Sequence, residues 1–205
     1  MSKGIDTIIF DLGGVLIDWN PRYLYRKMFD NDETIEWFLS NICTSEWNDA
    51  LDAGRSFSEA VEELAKRHPE YDEAIRAWSD RWPEMISGPI SGTVDILREI
   101  KERGEYRLYA LTNWSAETFP WALKQFEFLK WFEGIVVSGT ERTRKPHPEF
   151  FRILFDRYQV NPSTTLFIDD NVANIKGGEE LGLHTITFEN PEQLRIQLRS
   201  TNVIE

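Results

Sequence analysis

The chain has 205 residues, 41% of them apolar, and a formal net charge of −12. That length suits one large domain or a core with one sizeable insertion, and the apolar share supports a packed core rather than a disordered chain. No stretch approaches the roughly 20 apolar residues of a membrane span. The first ten residues lack the basic start and apolar run of a signal peptide, and basic residues scattered among acids argue against a nucleic-acid surface. The acidic balance reads as a solubility feature, so an anionic substrate needs a locally positive site built from few residues. A single cysteine, Cys43, can form no internal disulfide, which suits a reducing cytoplasm.

The first predicted element is a short, apolar, β-branched strand, Thr7-Ile8-Ile9-Phe10, which runs straight into Asp11-Leu12-Gly13-Gly14-Val15-Leu16. A carboxylate at the carboxyl end of a buried strand lies where open α/β sheets bind their ligands, and the glycines allow close backbone approach. Residues 20–88 show no convincing strand. Apolar residues recur there at helical spacing in Tyr23-Leu24 with Met28-Phe29, in Ile35, Phe38-Leu39 and Ile42, and in Phe57, Val61 and Leu64. The stretch closes at the breaker Ser87-Gly88-Pro89. It reads as a helical module inserted after the first strand, and its place beside a strand-end acid suggests a lid. From residue 90 helix and strand alternate: a helix over 92–103 stopped by Gly104, a strand over 107–111, a helix over 116–126 despite Pro120, a strand over 134–137, a helix over 148–158 with Pro148 in its first turn, a strand over 165–169, a helix ending near Leu181-Gly182, and a strand over 184–188. This alternation predicts an α/β fold with a parallel sheet covered by helices on both faces.

Strand ends of a parallel sheet share one edge, so Asp11, Thr112, Asn113, Asp169 and Asp170 are predicted to converge there, with Lys145 just before a helix. Singly, each has a plain explanation: a helix N-cap for Asp11, an ordinary turn for Thr112-Asn113, a surface lysine for Lys145. Two adjacent acids at a buried strand end repel each other unless a cation lies between them. Three carboxylates make a hard oxygen site that suits Mg²⁺. Mg²⁺ and Lys145 together offset a phosphate's charge, and the Thr112 hydroxyl with nearby backbone N–H groups suits the equatorial oxygens of a transferring phosphoryl group. Asp11 is then free to attack and form an aspartyl phosphate.

The motifs Asp11-Leu12-Gly13-Gly14-Val15, Thr112-Asn113, Lys145-Pro146 and Asp169-Asp170, in this order, resemble those of the haloacid dehalogenase superfamily over nearly the whole chain. The resemblance implies a Rossmann-like three-layer core from residues 1–17 and 90–205 and an inserted all-α cap over 18–89. It implies Asp11 as nucleophile and Lys145 as its cationic partner. Mg²⁺ would be held by Asp11, the Gly13 carbonyl and Asp170, with Asp169 behind them or reaching the ion through water. Gly13, Thr112, Asn113 and Lys145 would contact the substrate, a small phosphorylated metabolite. The cap turn Asp52-Ala53-Gly54-Arg55-Ser56 resembles the turn that faces the site in related caps and makes Arg55 a candidate for a phosphate or sugar hydroxyl. The stretches Asp11-Leu12-Gly13 and Phe167-Ile168-Asp169-Asp170-Asn171 look most like bacterial sugar-phosphate phosphatases similar to glucose-1-phosphatase.

One position departs from that pattern. Phosphatases of the superfamily usually carry a second aspartate two residues after the nucleophile, to protonate the leaving oxygen and later activate water; here that position is Gly13. Three readings follow: a phosphatase of esters that leave readily, such as sugar 1-phosphates; a metal-independent 2-haloacid dehalogenase; or a low-turnover phosphate-binding regulatory homologue. His147 and Asp18 are candidates for the missing acid/base. His68 and His184 lack ligand spacing and read as structural, the eight tryptophans as core or cap packing, and Cys43, with no histidine beside it, as no catalytic thiol.

Overall fold

The computed structural model describes residues 4–204. The outermost ends of the expected core segments, and the start of the stretch read for a signal peptide, fall outside it. The chain begins with β1 (Thr7–Phe10) and turns through the glycine loop into a short β2 (Ile17–Trp19). Five helices follow: α1 (Arg22–Tyr25), α2 (Asp32–Asn41), α3 (Ser45–Asp52), α4 (Phe57–Arg67) and α5 (Asp72–Asp80). The chain returns through β3 (Ile86–Pro89) into α6 (Ser91–Arg103), β4 (Arg107–Thr112), α7 (Phe119–Gln125), β5 (Gly134–Val137), α8 (Ser138–Glu141), α9 (Pro148–Tyr158), β6 (Thr165–Asp169), α10 (Val172–Glu180), β7 (His184–Thr187) and α11 (Pro191–Ser200).

Among the described residues, five strands form one parallel sheet in the order β5-β4-β1-β6-β7. Every residue of β1 is buried, as a strand covered on both faces requires. Alternate residues serve alternate layers. Ile8, Phe10, Leu108, Ala110, Leu166 and Ile168 pack with Val94, Leu97 and Ile100 of α6 and Leu194 and Leu198 of α11, while Ile9, Tyr109, Leu111 and Phe167 pack with Phe150, Phe151 and Leu154 of α9 and Ile175 of α10. The expected helix over 116–126 begins later, at Phe119. The Trp114 and Glu117 backbone N–H groups instead bond to the Ser138 and Ser115 hydroxyls, which holds the preceding loop out of the helix.

One expectation is corrected. Residues 20–88 do contain strand: β3 pairs antiparallel with β2, through Ile17 with Pro89, Asp18 with Gly88 and Trp19 with Ile86. The ribbon is too short to show a two-residue period, and Gly88 and Pro89 read as breakers because both suit an edge ribbon. The expected boundaries, after residue 17 and before residue 90, fall on it. The inserted helices close around an aromatic cluster in which Tyr25, Phe38 and Trp78 are almost completely buried, with Tyr25 4.8 Å from Phe38 and Trp78 5.3 Å from Trp47, edge on. Aromatic pairs at these distances add about 0.5–1.5 kcal/mol each beyond their area burial.

Candidate active site

The register of the sheet assembles the site. Phe10 lies opposite Ala110 on one side and Ile168 on the other, so Asp11, Thr112 and Asp169 reach one edge within a residue of the same level. Asp11 Oδ1 accepts the Leu12 backbone N–H at 2.7 Å and lies 2.9 Å from Lys145 Nζ. Its Oδ2 accepts no hydrogen bond from the described residues and is left free. Lys145 is fully buried and also donates to Asp169 Oδ2 at 2.6 Å. The Asn113 side chain fixes the lysine's backbone, accepting its N–H at 2.9 Å and donating to its carbonyl at 3.1 Å. The Lys145-Pro146 peptide is cis. The Thr112 hydroxyl is buried and has no hydrogen-bond partner.

Charge explains what this cluster lacks. Three carboxylates, those of Asp11, Asp169 and Asp170, offer oxygens within 4.8 Å of one another, and one lysine offsets only one of them. Burial pushes the Asp11 carboxyl up to about 8, against the pull of Lys145 and with the push of Asp169 and Asp170. Burial also opposes the charge on Lys145, but Asp11 and Asp169 outweigh it and hold the lysine above its ordinary value. The lysine therefore stays charged, while burial and mutual repulsion hold the Asp11 and Asp170 carboxyls above their ordinary range, which a further cation would reverse.

A hard oxygen donor set with surplus negative charge fits Mg²⁺. Gly14 adopts φ +77°, and a Cβ there would stand 2.4 Å from Asp170 Oδ2, so only glycine lets that carboxylate close on the loop. The Gly13 carbonyl accepts no backbone hydrogen bond from the described residues. The four residues expected at the metal are thus together. Asp169 is distinguished among them because both its oxygens are taken: Oδ1 by the Asn171 N–H at 2.8 Å and Asn174 Nδ2 at 3.0 Å, Oδ2 by Lys145. Asn174 is one residue the sequence reading missed. It lies five residues after Asp169, one turn into α10, where its side chain falls back on the strand end.

A cavity of about 730 Å³ opens over this edge, between it and the inserted helices. Asp11, Gly13 and Asp170 line its floor; Ser45, Asn48, Asp49 and Asp52 of α3 line its roof. These four roof positions follow a helical period, so they are one face of α3, while Trp47 and Leu51 bury the opposite face. A polar stripe in a helix usually reads as a solvent face; here it faces the cavity, which is why the sequence pattern assigns Asp52 no role of its own, although it lies in a turn expected to face the site.

Three candidates are placed elsewhere. Arg55 does not line the cavity: it pairs with Glu63 on α4, because the Gly54 turn at φ +95° sends the chain, and Arg55 with it, toward the start of that helix. His147 is exposed and outside the cavity wall. Asp18 is held in the β2 ribbon by the Tyr23 hydroxyl at 2.8 Å. Asn113 lines the cavity, yet its amide is committed to Lys145, so its part is to position the lysine. Cys43 borders the cavity, but burial pushes its thiol up to about 12, which leaves almost no thiolate. His68 and His184 are remote from the cavity; the His184 ring lies 3.2 Å from the Ser163 carbonyl. No helix among the described residues is long and apolar enough to cross a membrane.

Comparison with known proteins agrees with this geometry. A D-ribitol-5-phosphate phosphatase from Bacteroides thetaiotaomicron is 25% identical, over 95% of this chain and 97% of that one. A sesquiterpene phosphatase from Aspergillus oryzae is 28% identical, over 89% of each. Among solved structures, a HAD family enzyme from Bacteroides thetaiotaomicron, in complex with magnesium and inorganic phosphate, superposes with a TM-score of 0.65 at 25% identity, covering 91% of this chain and 96% of that one. The family model described as haloacid dehalogenase-like hydrolase matches residues 5–182. That span takes in the whole strand-end cluster and the inserted helices above it, and the chain belongs to the haloacid dehalogenase-like hydrolase family.

Proposed function

We propose that the chain is a cytoplasmic, Mg²⁺-dependent phosphatase of a small phosphate monoester with a sugar-like leaving group, working through an aspartyl phosphate on Asp11. The observation that carries this reading is the state of Asp11: one oxygen is fixed by Lys145 and a backbone N–H, and the other is free at the cavity floor. In the first step Asp11 Oδ2 attacks phosphorus and the bond to the leaving oxygen breaks. In the second, water attacks the same phosphorus and the Asp11 carboxylate returns. Lys145 holds the nucleophile in register and offsets charge throughout, and the unpartnered Thr112 hydroxyl is placed to donate to a phosphoryl oxygen. Bound Mg²⁺ would supply the remaining positive charge, held by Asp11, Asp170 and the Gly13 carbonyl. Residues 18–89 act as a cap that excludes bulk water and selects the substrate.

The dehalogenase reading is weaker on charge. Without a cation, an anionic haloacid would enter a site where three carboxylates face one lysine. The choice of leaving group follows from the cavity. An activated anomeric ester is required only if no acid reaches the leaving oxygen; the roof contains two further acids, Asp49 and Asp52, which bring sugar 5- and 6-phosphates within reach.

The test is phosphate release across sugar 1-, 5- and 6-phosphates and nucleotides, with Mg²⁺ or with EDTA, together with 2-chloropropionate. Mg²⁺-dependent release that disappears in Asp11→Asn is expected. Chloride release that survives EDTA, with no phosphate released from any ester, would overturn the reading.

A further inference from the structure

Position 13 offers no acid, and the structure shows open space where its side chain would stand: a Cβ built on Gly13 meets nothing within 4 Å. The proton for the leaving oxygen must therefore come from elsewhere in the cavity. The titratable residues lining it are Asp11, Arg22, Cys43, Asp49, Asp52 and Asp170. Asp11 and Asp170 belong to the phosphoryl and metal cluster. Arg22 stays charged and is bidentate to Glu36, at 2.5 and 2.6 Å. The Cys43 thiol holds its proton too tightly. Asp49 is held above its ordinary value by burial, against the pull of Arg144, but its Oδ2 is committed to that arginine at 2.8 Å. Asp52 remains.

We propose that Asp52, on the cap, is the general acid/base that position 13 lacks, a role that rests on the phosphatase reading above. Its placement is built. Asn48 Nδ2, one turn earlier on α3, donates to Asp52 Oδ2 at 3.0 Å. The Ser138 hydroxyl, just past β5, donates to the Asp52 carbonyl at 2.5 Å, and the Ser115 backbone pulls the Asp52 carboxyl down. Ser115 lies three residues beyond Thr112, on the same loop that presents the threonine to the phosphoryl site. These contacts tie Asp52 to the core on the wall of the cavity that Asp11 also lines. The charged groups facing it are Asp49 on its own helix and Arg144 on the loop before Lys145. Burial, then Asp49, push the Asp52 carboxyl up to about 7, with Asn48, Arg144 and Ser115 pulling it back. That value suits a group that must give a proton and take one back near neutrality.

The step balances. As Asp11 Oδ2 bonds to phosphorus, the electron pair of the breaking bond goes to the leaving oxygen, which takes the Asp52 proton and departs as the alcohol. Asp52, now a carboxylate, accepts a proton from the water that attacks phosphorus. Asp11 leaves as carboxylate and Asp52 is again protonated.

Benzyl phosphate and p-nitrophenyl phosphate are matched probes, because both leaving groups carry an aromatic ring but only the benzyl alkoxide needs a proton. Asp52→Asn is expected to lower kcat/KM, which reports the steps up to departure of the leaving group, by about 10²–10⁴-fold on benzyl phosphate and by less than about tenfold on p-nitrophenyl phosphate. The wild-type ratio of kcat/KM on benzyl phosphate to that on p-nitrophenyl phosphate is expected to fall as the pH rises through the Asp52 titration, because every group common to both reactions cancels in it. This wild-type comparison stands even if the variant does not fold. Equal losses of kcat/KM on both esters, an undiminished kcat/KM on benzyl phosphate, or a ratio without the alkaline fall would each overturn the assignment. Wild-type turnover of p-nitrophenyl phosphate upholds the phosphatase reading whichever of these is found. If wild type hydrolyses neither ester, the phosphatase reading falls and the role of Asp52 falls with it.

Discussion

A buried hydroxyl without a partner normally costs about 1–3 kcal/mol, and Thr112 Oγ1 is such a group. Its retention at the end of β4 is explained if its partner arrives with the substrate. Thr112→Val keeps the shape and removes the hydroxyl. Stability in urea unfolding should be unchanged or higher by about 1 kcal/mol, whereas kcat/KM should fall roughly 10²–10³-fold, the cost of deleting one preorganised donor. A large loss of stability with kcat/KM intact would show that the hydroxyl is structural. At this scale the sequence was legible where function forces a residue type onto a strand end. Asp11, Thr112, Lys145, Asp169 and Asp170 all meet at one edge because parallel strands must end together. It was illegible where direction matters. Arg55 and Asp52 sit in the same turn, yet the αL-like Gly54 between them turns one toward Glu63 and leaves the other facing the cavity.

At the scale of elements, α3 and the turn after it couple the cap to the core. Gly54 stands so close to the Gly139 carbonyl oxygen that a Cβ there would lie 2.8 Å away, and its φ of +95° adds strain to any side chain. Across the same seam Arg144 reaches Asp49 at 2.8 Å and the Phe57 N–H reaches Glu117 at 2.9 Å. Gly54→Ala should therefore part the cap from the core. Differential scanning calorimetry should show a melting temperature lower by roughly 2–4 °C for each kcal/mol lost, and KM should rise more than kcat falls. An unchanged Tm and KM would mean that the seam does not hold the cap. The core helices and strands were readable because their apolar periods are long and their stops are explicit, as with Gly104 and Pro148. The β2–β3 ribbon was not, since strands of three and four residues carry too few positions to display a period. The fine structure of the cap was obscured for a related reason: α1 is one turn long, and α3 turns its polar face inward.

For the molecule as a whole, the net charge of −12 makes a phosphate-handling site look improbable until the charges are located. Three acids are gathered into the carboxylate cluster, where a divalent cation converts surplus negative charge into attraction for an anion. The sheet supplies the fixed geometry and the inserted helices the cavity above it, and in the proposed mechanism both serve one event, the covalent phosphorylation of Asp11. Borohydride reduction of the acid-quenched enzyme tests that dependence most directly, since it converts an acyl phosphate, but not a free carboxylate, into an alcohol. After mixing with p-nitrophenyl phosphate and Mg²⁺, peptide mass spectrometry should find the reduced side chain at Asp11 and nowhere else, with none in EDTA. Phosphate release without any modification of Asp11, or modification at another carboxylate, would contradict the account.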